Sequence, residues 1–178
     1  MEITTVAYSG LGEEDVLLAR WYGQLKGAGE LAKVFGSDTL YEFLDGFQKP
    51  ATLIYGVDRS TADVVYAFWV ELTIGVSVGL WTREDVRSNR SIVASILKLY
   101  EMALGYSPTI VSCTGHPKTV DSMVKIGYTI VGKIPRLWSG EDVWLLYLTK
   151  ESFARAKGVR SVKLEKVRQA KAVEAKGE

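Results

Sequence analysis

The chain has 178 residues, of which 47% are hydrophobic and 24% are charged, so its length suits one globular domain with a complete core and not two. The formal net charge of +1 gives no overall reason to expect a nucleic-acid or acidic-membrane partner. Because Cys113 is the only cysteine, an intrachain disulfide and a thiol-rich metal site are excluded, and we predict no metal site.

The first part of the chain predicts a strand, two helices and a sheet. Residues 1–8 alternate between two faces in the manner of a strand. Acidic residues stand at positions 13–15, where the first turn of a helix favours them, and a second amphipathic helix is predicted at 40–47. After Pro50, β-branched and aromatic runs predict an antiparallel meander with strands at 51–57, 64–72 and 76–82.

A long helix, a strand, a further helix and a hairpin are predicted next. Apolar residues recur at helical spacing from Ile92 to Leu104, which is typical of an amphipathic helix. A buried strand follows at 109–113, and a helix that ends at Gly127 comes after it. The two strands of the closing hairpin are predicted at 128–137 and 143–149.

The predicted order is β-α-α-β-β-β-α-β-α-β-β, which indicates a mixed α/β fold in a single domain. We place this domain at residues 1–149. Residues 150–178 are predicted to form a basic helical tail, because residues 151–178 hold eight lysines and arginines against four glutamates.

The segment KIGYTIVGKI resembles the GNAT superfamily of N-acetyltransferases when it is taken together with the element order. Members of that family end with a helix, a Gly-aromatic pair and two closing strands, and Gly127 and Tyr128 stand where the pair is expected. The resemblance covers residues 1–149. It implies a GNAT-like domain in which acetyl-CoA donates the acetyl group.

The loop that holds the cofactor in that family departs from its usual pattern here. In the family, a loop Arg/Gln-x-x-Gly-x-Gly/Ala before the long helix holds the acetyl-CoA pyrophosphate on backbone amides. The corresponding residues 88–93 contain no glycine, and the resemblance makes Ser88, Asn89, Arg90 and Ser91 the candidate cofactor residues. Thr82 and Asp85 also fit a capping box, which would start the helix earlier and leave no open loop.

Few side chains offer acid-base chemistry. Met123 stands where the family often has the tyrosine that protonates the departing thiolate, and a thioether cannot do this. Glu71 lies where acetyltransferases sometimes carry a general base, although a charge that protects a sheet edge is the alternative interpretation. His116, the only histidine, follows a predicted strand and is the other candidate base, with helix capping or plain exposure as its alternative.

These departures favour a protein without catalytic activity. A similar layout occurs in the small internal virion proteins of short-tailed bacteriophages, which look like acetyltransferase folds without the cofactor loop. The resemblance implies a non-catalytic structural or assembly protein without a cofactor, in the virion or in the host cytoplasm. The alternatives are an acetyl-CoA-dependent N-acetyltransferase with an atypical loop and a nucleic-acid module that acts through the basic tail.

Partner contacts are predicted at aromatic and basic positions. Trp138 lies in the apparent hairpin turn, where an exposed aromatic side chain suggests a contact surface. The tail adds Arg160, Lys163, Lys166 and Arg168, and other subunits of a homo-oligomeric or hetero-oligomeric assembly are the expected partners. The sequence shows neither a signal-peptide pattern nor an apolar run of about 18 residues, so we expect neither secretion nor a membrane span.

Overall fold

A computed structural model of the chain describes residues 2–8, 12–31, 39–40, 43, 51–72, 76–87, 89–138 and 141–160. The strands are β1 Ile3–Ala7, β2 Ala51–Asp58, β3 Val64–Leu72, β4 Val76–Thr82, β5 Thr109–Thr114, β6 Thr129–Trp138 and β7 Glu141–Thr149. The helices are α1 Gly12–Gly27, α2 Arg90–Tyr106, α3 Pro117–Ile126 and α4 at residues 150–160, and a 3-10 turn occupies Glu84–Val86.

The described strands form one mixed sheet in the order β1-β2-β3-β4-β5-β7-β6. Strands β1 to β4 are antiparallel neighbours, as are β5, β7 and β6, whereas β4 and β5 are parallel and are connected through α2. The predicted single mixed α/β domain is confirmed. The helix predicted at 40–47 lies outside the described residues apart from Leu40 and Phe43. No described helix combines the length and the apolar character that a bilayer crossing requires.

Two hydrophobic cores lie on opposite faces of the sheet, because successive side chains of a strand point in opposite directions. The α1-side core centres on Trp21, whose ring lies 5.3 Å from that of Phe43 and 5.7 Å from that of Trp81. The α2-side core contains Phe68 and Tyr100, whose rings meet edge to face at 5.2 Å. Each fully buried large apolar side chain contributes about 1.5–3 kcal/mol, so these cores fix the positions of the helices.

A glycine on β4 allows close packing across the sheet. Gly79 pairs in register with Trp69 of β3. A Cβ added to Gly79 would lie 1.9 Å from the indole ring of Trp69, which fills the space that a side chain would need. The ring therefore covers the backbone of β4 on the α1 side.

Helix α4 is part of the folded body. Thr149 and Ser152 form a reciprocal capping box, in which each backbone N–H donates to the other residue's hydroxyl at 3.1 Å. Phe153 is buried in the α2-side core. At the other end of the helix, Arg160 donates to the carbonyl of Lys125 at 2.5 Å, which satisfies an acceptor in the last turn of α3.

Two local predictions from the sequence are wrong. The capping box of Thr82 and Asp85 does not form, because the carboxylate of Asp85 accepts from Arg83 at 2.7 Å, and α2 begins only at Arg90. Trp138 does not lie in the hairpin turn, because its backbone belongs to β6 and pairs with Glu141. The side chain of Trp138 lies outside the described residues.

We predict that Gly127→Ala destabilises the fold by about 2–4 kcal/mol, because a positive φ and a backbone clash act together. Gly127 has a φ of 114°, and an added Cβ would lie 2.7 Å from the carbonyl oxygen of Ser152 at the start of α4. Urea unfolding of the variant should show a lower midpoint at an unchanged slope.

Gly105→Ala is the matched control, since Gly105 lies within α2 and an added Cβ would meet nothing within 4 Å. We expect this variant to be unchanged or more stable by up to about 1 kcal/mol, because alanine is the better helix former. Equal midpoints for the two variants would contradict the packing of α4 against Gly127.

Candidate functional site

The parallel strands β4 and β5 separate soon after they meet. Their registered pairs are Val76 with Ile110 and Ser77 with Val111. Both strands nevertheless continue, β4 to Thr82 and β5 to Thr114. We call the opening between Val78–Thr82 and Ser112–Thr114 the fork, and the point where Val78 meets Ser112 its vertex.

Two backbone hydrogen bonds show which groups face the fork. Arg83 N–H donates to the carbonyl of Val65 on β3, and Lys150 N–H donates to the carbonyl of Pro108 beside β5. In a strand, the backbone N–H and C=O groups of successive residues point to alternate sides. Because those of Arg83 face β3, those of Leu80, three residues earlier, face away from β3 and towards β5. By the same argument, because the carbonyl of Pro108 faces β7, the backbone groups of Cys113, five residues later, face away from β7 and towards β4. The N–H groups of Leu80 and Cys113 therefore point into the fork.

A side chain ends the ladder at the vertex. The hydroxyl of Ser112 donates to the carbonyl of Val78 at 2.5 Å. In a continued parallel ladder, that carbonyl would instead accept from the N–H of Cys113. Ser112 is 2% exposed, so its hydroxyl needs a partner within the protein, and the carbonyl of Val78 supplies it.

Two buried tyrosines support Ser112 from the α2 side. The hydroxyls of Tyr128 and Ser112 lie 2.9 Å apart, and the ring of Tyr100 meets that of Tyr128 edge to face at 5.9 Å. Burial raises the pKa of Tyr100 to about 12 and raises the pKa of Tyr128 well above its usual value. Both phenols are therefore neutral at physiological pH, and the hydroxyl of Tyr128 can hold the Ser112 hydroxyl without competing as an anion.

Hydrogen bonds and ion pairs engage the polar side chains at the end of β4 and just after it. The indole N–H of Trp81 donates to the carboxylate of Glu30 at 2.7 Å, and Arg87 lies 3.9 Å from the same group. Arg83 contacts Asp85 at 2.7 Å and lowers the pKa of that carboxyl group by its hydrogen bond. Two arginines near the predicted cofactor loop are thus already engaged with acidic groups of the chain.

The predicted cofactor residues lie at the start of α2. Asn89 is the N-cap, and its side-chain oxygen accepts from the N–H groups of Ser91 at 3.0 Å and Ile92 at 3.4 Å. Arg90 and Ser91 are exposed, and Ser88 lies outside the described residues. Because the cap already uses the amides of Ser91 and Ile92, a diphosphate cradle made of backbone alone does not fit here. The assignment of these residues to a cofactor stays a prediction.

The two candidate bases lie at different depths. Glu71 pairs with Ser77, which belongs to the last registered pair of β4 and β5, and it points to the α1 side together with Trp69. His116 is the N-cap residue of α3, its side chain is exposed and it forms no side-chain cap. It follows Ser112 by four residues, roughly 10–13 Å along extended chain, and so lies at the mouth of the fork.

The structure describes only some of the residues that were predicted to contact a partner. Arg160 contacts the end of α3 in the same chain. The basic residues Lys163, Lys166 and Arg168 lie outside the described residues, as does the side chain of Trp138. A contact role for these positions stays a prediction.

The sequence analysis missed Ser112, Tyr128 and Tyr100 as site residues. Ser112 stands at an inward position of the strand TIVSC, directly after the buried Ile110 in the alternation. A polar residue at such a position must find a partner inside the protein, which was the available signal. The partner itself was not predictable, because Val78 lies 34 residues away in the sequence.

Comparison with known proteins shows the fold. The chain is similar to ribosomal-protein-S5-alanine acetyltransferase from Vibrio fischeri, with a TM-score of 0.62, 11% identity, and 84% of this chain and 94% of that chain covered. It is also similar to a putative phosphinothricin N-acetyltransferase, with a TM-score of 0.62, 14% identity and coverages of 82% and 98%. A third similar structure is spermidine N-acetyltransferase from Vibrio cholerae in complex with CoA and spermine, with a TM-score of 0.56, 10% identity and coverages of 85% and 98%.

No family model and no curated protein matches the sequence. At these low identities the structural matches establish the GNAT acetyltransferase fold, which confirms the predicted resemblance at that level. The similarity to bacteriophage virion proteins is not shown.

The main functional prediction, a non-catalytic virion component, is wrong. The structures that the chain resembles include acetyltransferases for ribosomal protein, phosphinothricin and spermidine, and none of the findings supports a virion location. The prediction rested on the missing glycines at 88–93 and on Met123, whereas the fork depends on neither. The alternative prediction, an acetyl-CoA-dependent N-acetyltransferase, agrees better with the comparisons.

We predict that the free energy of unfolding falls between pH 10 and 12, partly through Tyr100, whose pKa burial raises from 10.0 to about 12. The phenol ionises in the unfolded chain first, so its stabilising effect is complete below pH 10 and is lost as the pH rises through the folded pKa. In Tyr100→Phe the decline should be smaller by on the order of 2 kcal/mol at pH 12, since each pH unit between the two pKa values corresponds to about 1.4 kcal/mol.

Urea unfolding at several pH values measures this decline. Tyr106→Phe is the control, because Tyr106 is 84% exposed, and this variant should keep the full decline. If Tyr100→Phe loses stability as steeply as the wild type, Tyr100 is not held neutral in the folded protein.

Proposed function

We propose that the chain is an N-acetyltransferase that transfers the acetyl group of acetyl-CoA to an amine at the fork. The separation of β4 from β5 after two registered pairs is the observation that carries this proposal. It leaves a polar strand edge in the interior of the domain, where an extended substrate with amide groups can bind as a strand would. The shared fold with acetyltransferases supports the same function.

The N–H of Leu80 gives the fork its principal chemical group. In acyl transfer the amine nitrogen attacks the thioester carbon, and the carbonyl oxygen gains negative charge. The C–S bond then breaks, the CoA thiolate leaves, and the new C–N bond remains. A fixed backbone N–H that points at this oxygen stabilises the charge as it develops. Because strand backbone supplies the donor, the identity of the side chain at this position matters little.

Glu71 is our candidate for the base that takes the proton from the amine. It lies one strand from β4 and one residue row from the vertex, which corresponds to about 5 Å and about 3.3 Å of backbone spacing. Leu80 pairs with Phe68 and so lies three residue rows from Glu71, or about 10 Å along the strands, and the proton passes through bridging water molecules. His116 lies at the mouth of the fork and is the other candidate.

The thiolate can leave without an acid at the family's tyrosine position. Met123 is buried in the α2-side core and has no proton to give. A thiol has a pKa of about 8.5, so its anion is a stable leaving group near neutral pH. The missing tyrosine therefore slows the reaction less than it would for a poorer leaving group.

Side chains must hold the diphosphate of CoA in place of a glycine loop. Arg90 is exposed at the first position of α2, next to the partial positive charge of the helix N-terminus. Asn89 competes for the same place, because its side chain already accepts from the amides of Ser91 and Ile92. We therefore expect weaker CoA binding than a backbone cradle would give.

Calorimetry with CoA and a thiol-release assay with acetyl-CoA test the proposal. The assay should use a panel of primary amines that includes spermidine and a peptide with N-terminal alanine. We expect saturable binding and amine-dependent release of CoA. If neither CoA nor acetyl-CoA binds up to about 1 mM, the upper end of common KM values, the proposed function is wrong.

We predict that Glu71→Gln lowers kcat by about 10²–10⁴-fold and leaves the Kd of acetyl-CoA unchanged, since the carboxylate acts on the amine and not on the thioester. Glu84→Gln is the matched control, because Glu84 is an exposed acid in the 3-10 turn, and it should behave as wild type. A Glu71→Gln enzyme with full activity at pH 6–9 would assign the proton transfer to another group.

We also predict that Asn89→Gly tightens CoA binding by about threefold to tenfold, because it releases two helix amides for the diphosphate. The loss of helix stability should be only a few tenths of a kcal/mol, since glycine is a tolerated N-cap. Pantetheine, which lacks the diphosphate, is the control ligand in calorimetry. An equal gain for pantetheine would show that the cap does not block the anion.

A further inference from the structure

We propose that Ser112 is a positioning residue of the acyl-transfer site, a role that rests on the proposed function. Its hydroxyl donates a hydrogen bond to the carbonyl of Val78 and thereby leaves the backbone N–H of Cys113 free to bind the substrate. Cys113 N–H and Leu80 N–H then form a pair of donors that face each other across the fork.

At the vertex, the side chain of Ser112 replaces a backbone N–H as the hydrogen-bond donor to Val78. Val78 C=O points towards β5, and the next bond of the parallel ladder would come from Cys113 N–H. Ser112 Oγ lies 2.5 Å from that carbonyl and occupies it. The registered pairs end one residue earlier, at Ser77 and Val111, so Cys113 N–H stands outside the ladder.

Tyr128 fixes the rotamer that makes this exchange possible. Its hydroxyl lies 2.9 Å from Ser112 Oγ, and its side chain is 3% exposed. Tyr128 directly follows Gly127, the C-cap of α3, and its N–H donates to the carbonyl of Met123 at 3.1 Å. Because the backbone at Tyr128 is held at the end of α3, the phenol keeps the serine hydroxyl directed at Val78.

The position of the vertex sets the depth of the fork. One more registered pair would advance the closed part of the sheet by about 3.3 Å, which is comparable with the length of an acetyl group. It would also remove the Cys113 donor from the site. Ser112 therefore controls both the space at the vertex and the number of amides that face the substrate.

Amide hydrogen exchange, measured by NMR in the absence of CoA, tests the geometry. In the wild type we expect the Cys113 amide to exchange at least tenfold faster than the ladder amide of Val111. In Ser112→Ala the carbonyl of Val78 should accept from Cys113 N–H, and exchange at Cys113 should slow by tenfold or more. Unchanged exchange at Cys113 would overturn the inference, whatever the activity.

Steady-state kinetics with acetyl-CoA test the consequence. Ser112→Ala should lower kcat/KM by tenfold or more, and Ser112→Thr, which keeps the hydroxyl, should restore it to within threefold of wild type. A structural role alone would not separate these variants at equal melting temperature. Equal loss in Ser112→Ala and Ser112→Thr at equal melting temperature would overturn the positioning role.

Tyr128→Phe serves if Ser112→Ala does not fold, because it keeps the ring and removes only the phenol hydroxyl. Exchange at Cys113 should slow by a smaller factor than in Ser112→Ala, and no change would overturn the inference. If exchange responds as expected but wild-type protein binds no acetyl-CoA, the proposed function fails. The role of Ser112 in setting the vertex would then be retained.

Discussion

The hydrogen bond between the hydroxyl of Ser112 and the carbonyl of Val78 determines where the sheet opens. A parallel ladder that simply stopped would leave a buried carbonyl without a donor, which costs about 1–3 kcal/mol. Here one hydrogen bond replaces another, so the net change is small. The chain can therefore keep a polar opening inside a close-packed domain without an unpaired acceptor at its base.

A series of packing contacts outside the sheet leads to this hydrogen bond. Gly127, at a φ of 114°, lets the start of α4 approach closely, and α4 brings Phe153 to within 6.4 Å of the ring of Tyr100. Tyr100 in turn packs on Tyr128, which contacts Ser112. The α2-side core thus connects α4 to the vertex through aromatic rings, and each of these rings is buried.

The order of elements could be predicted from the sequence, because hydrophobic periodicity is local: the stripe from Ile92 to Leu104 and the alternation in β5 each lie within one element. The fork could not be predicted in this way. It depends on a side chain of β5 and a carbonyl of β4 that meet only after the long crossover through α2 is formed. Asn89 was found as a candidate ligand, but its role as a cap depends on where α2 begins, and local patterns fix helix ends poorly.

The two ends of the fork contribute differently to the proposed reaction. Contacts to the diphosphate are the same before and during acyl transfer, so they affect the affinity for acetyl-CoA and not the rate of the bound complex. The amide of Leu80 acts on charge that appears only in the transition state, so it affects kcat. The chain lacks glycines at residues 88–93, where the family holds the diphosphate, and keeps the backbone N–H donors within the fork. Loss of the glycine loop is therefore compatible with catalysis, and it was a poor reason to infer an inactive protein.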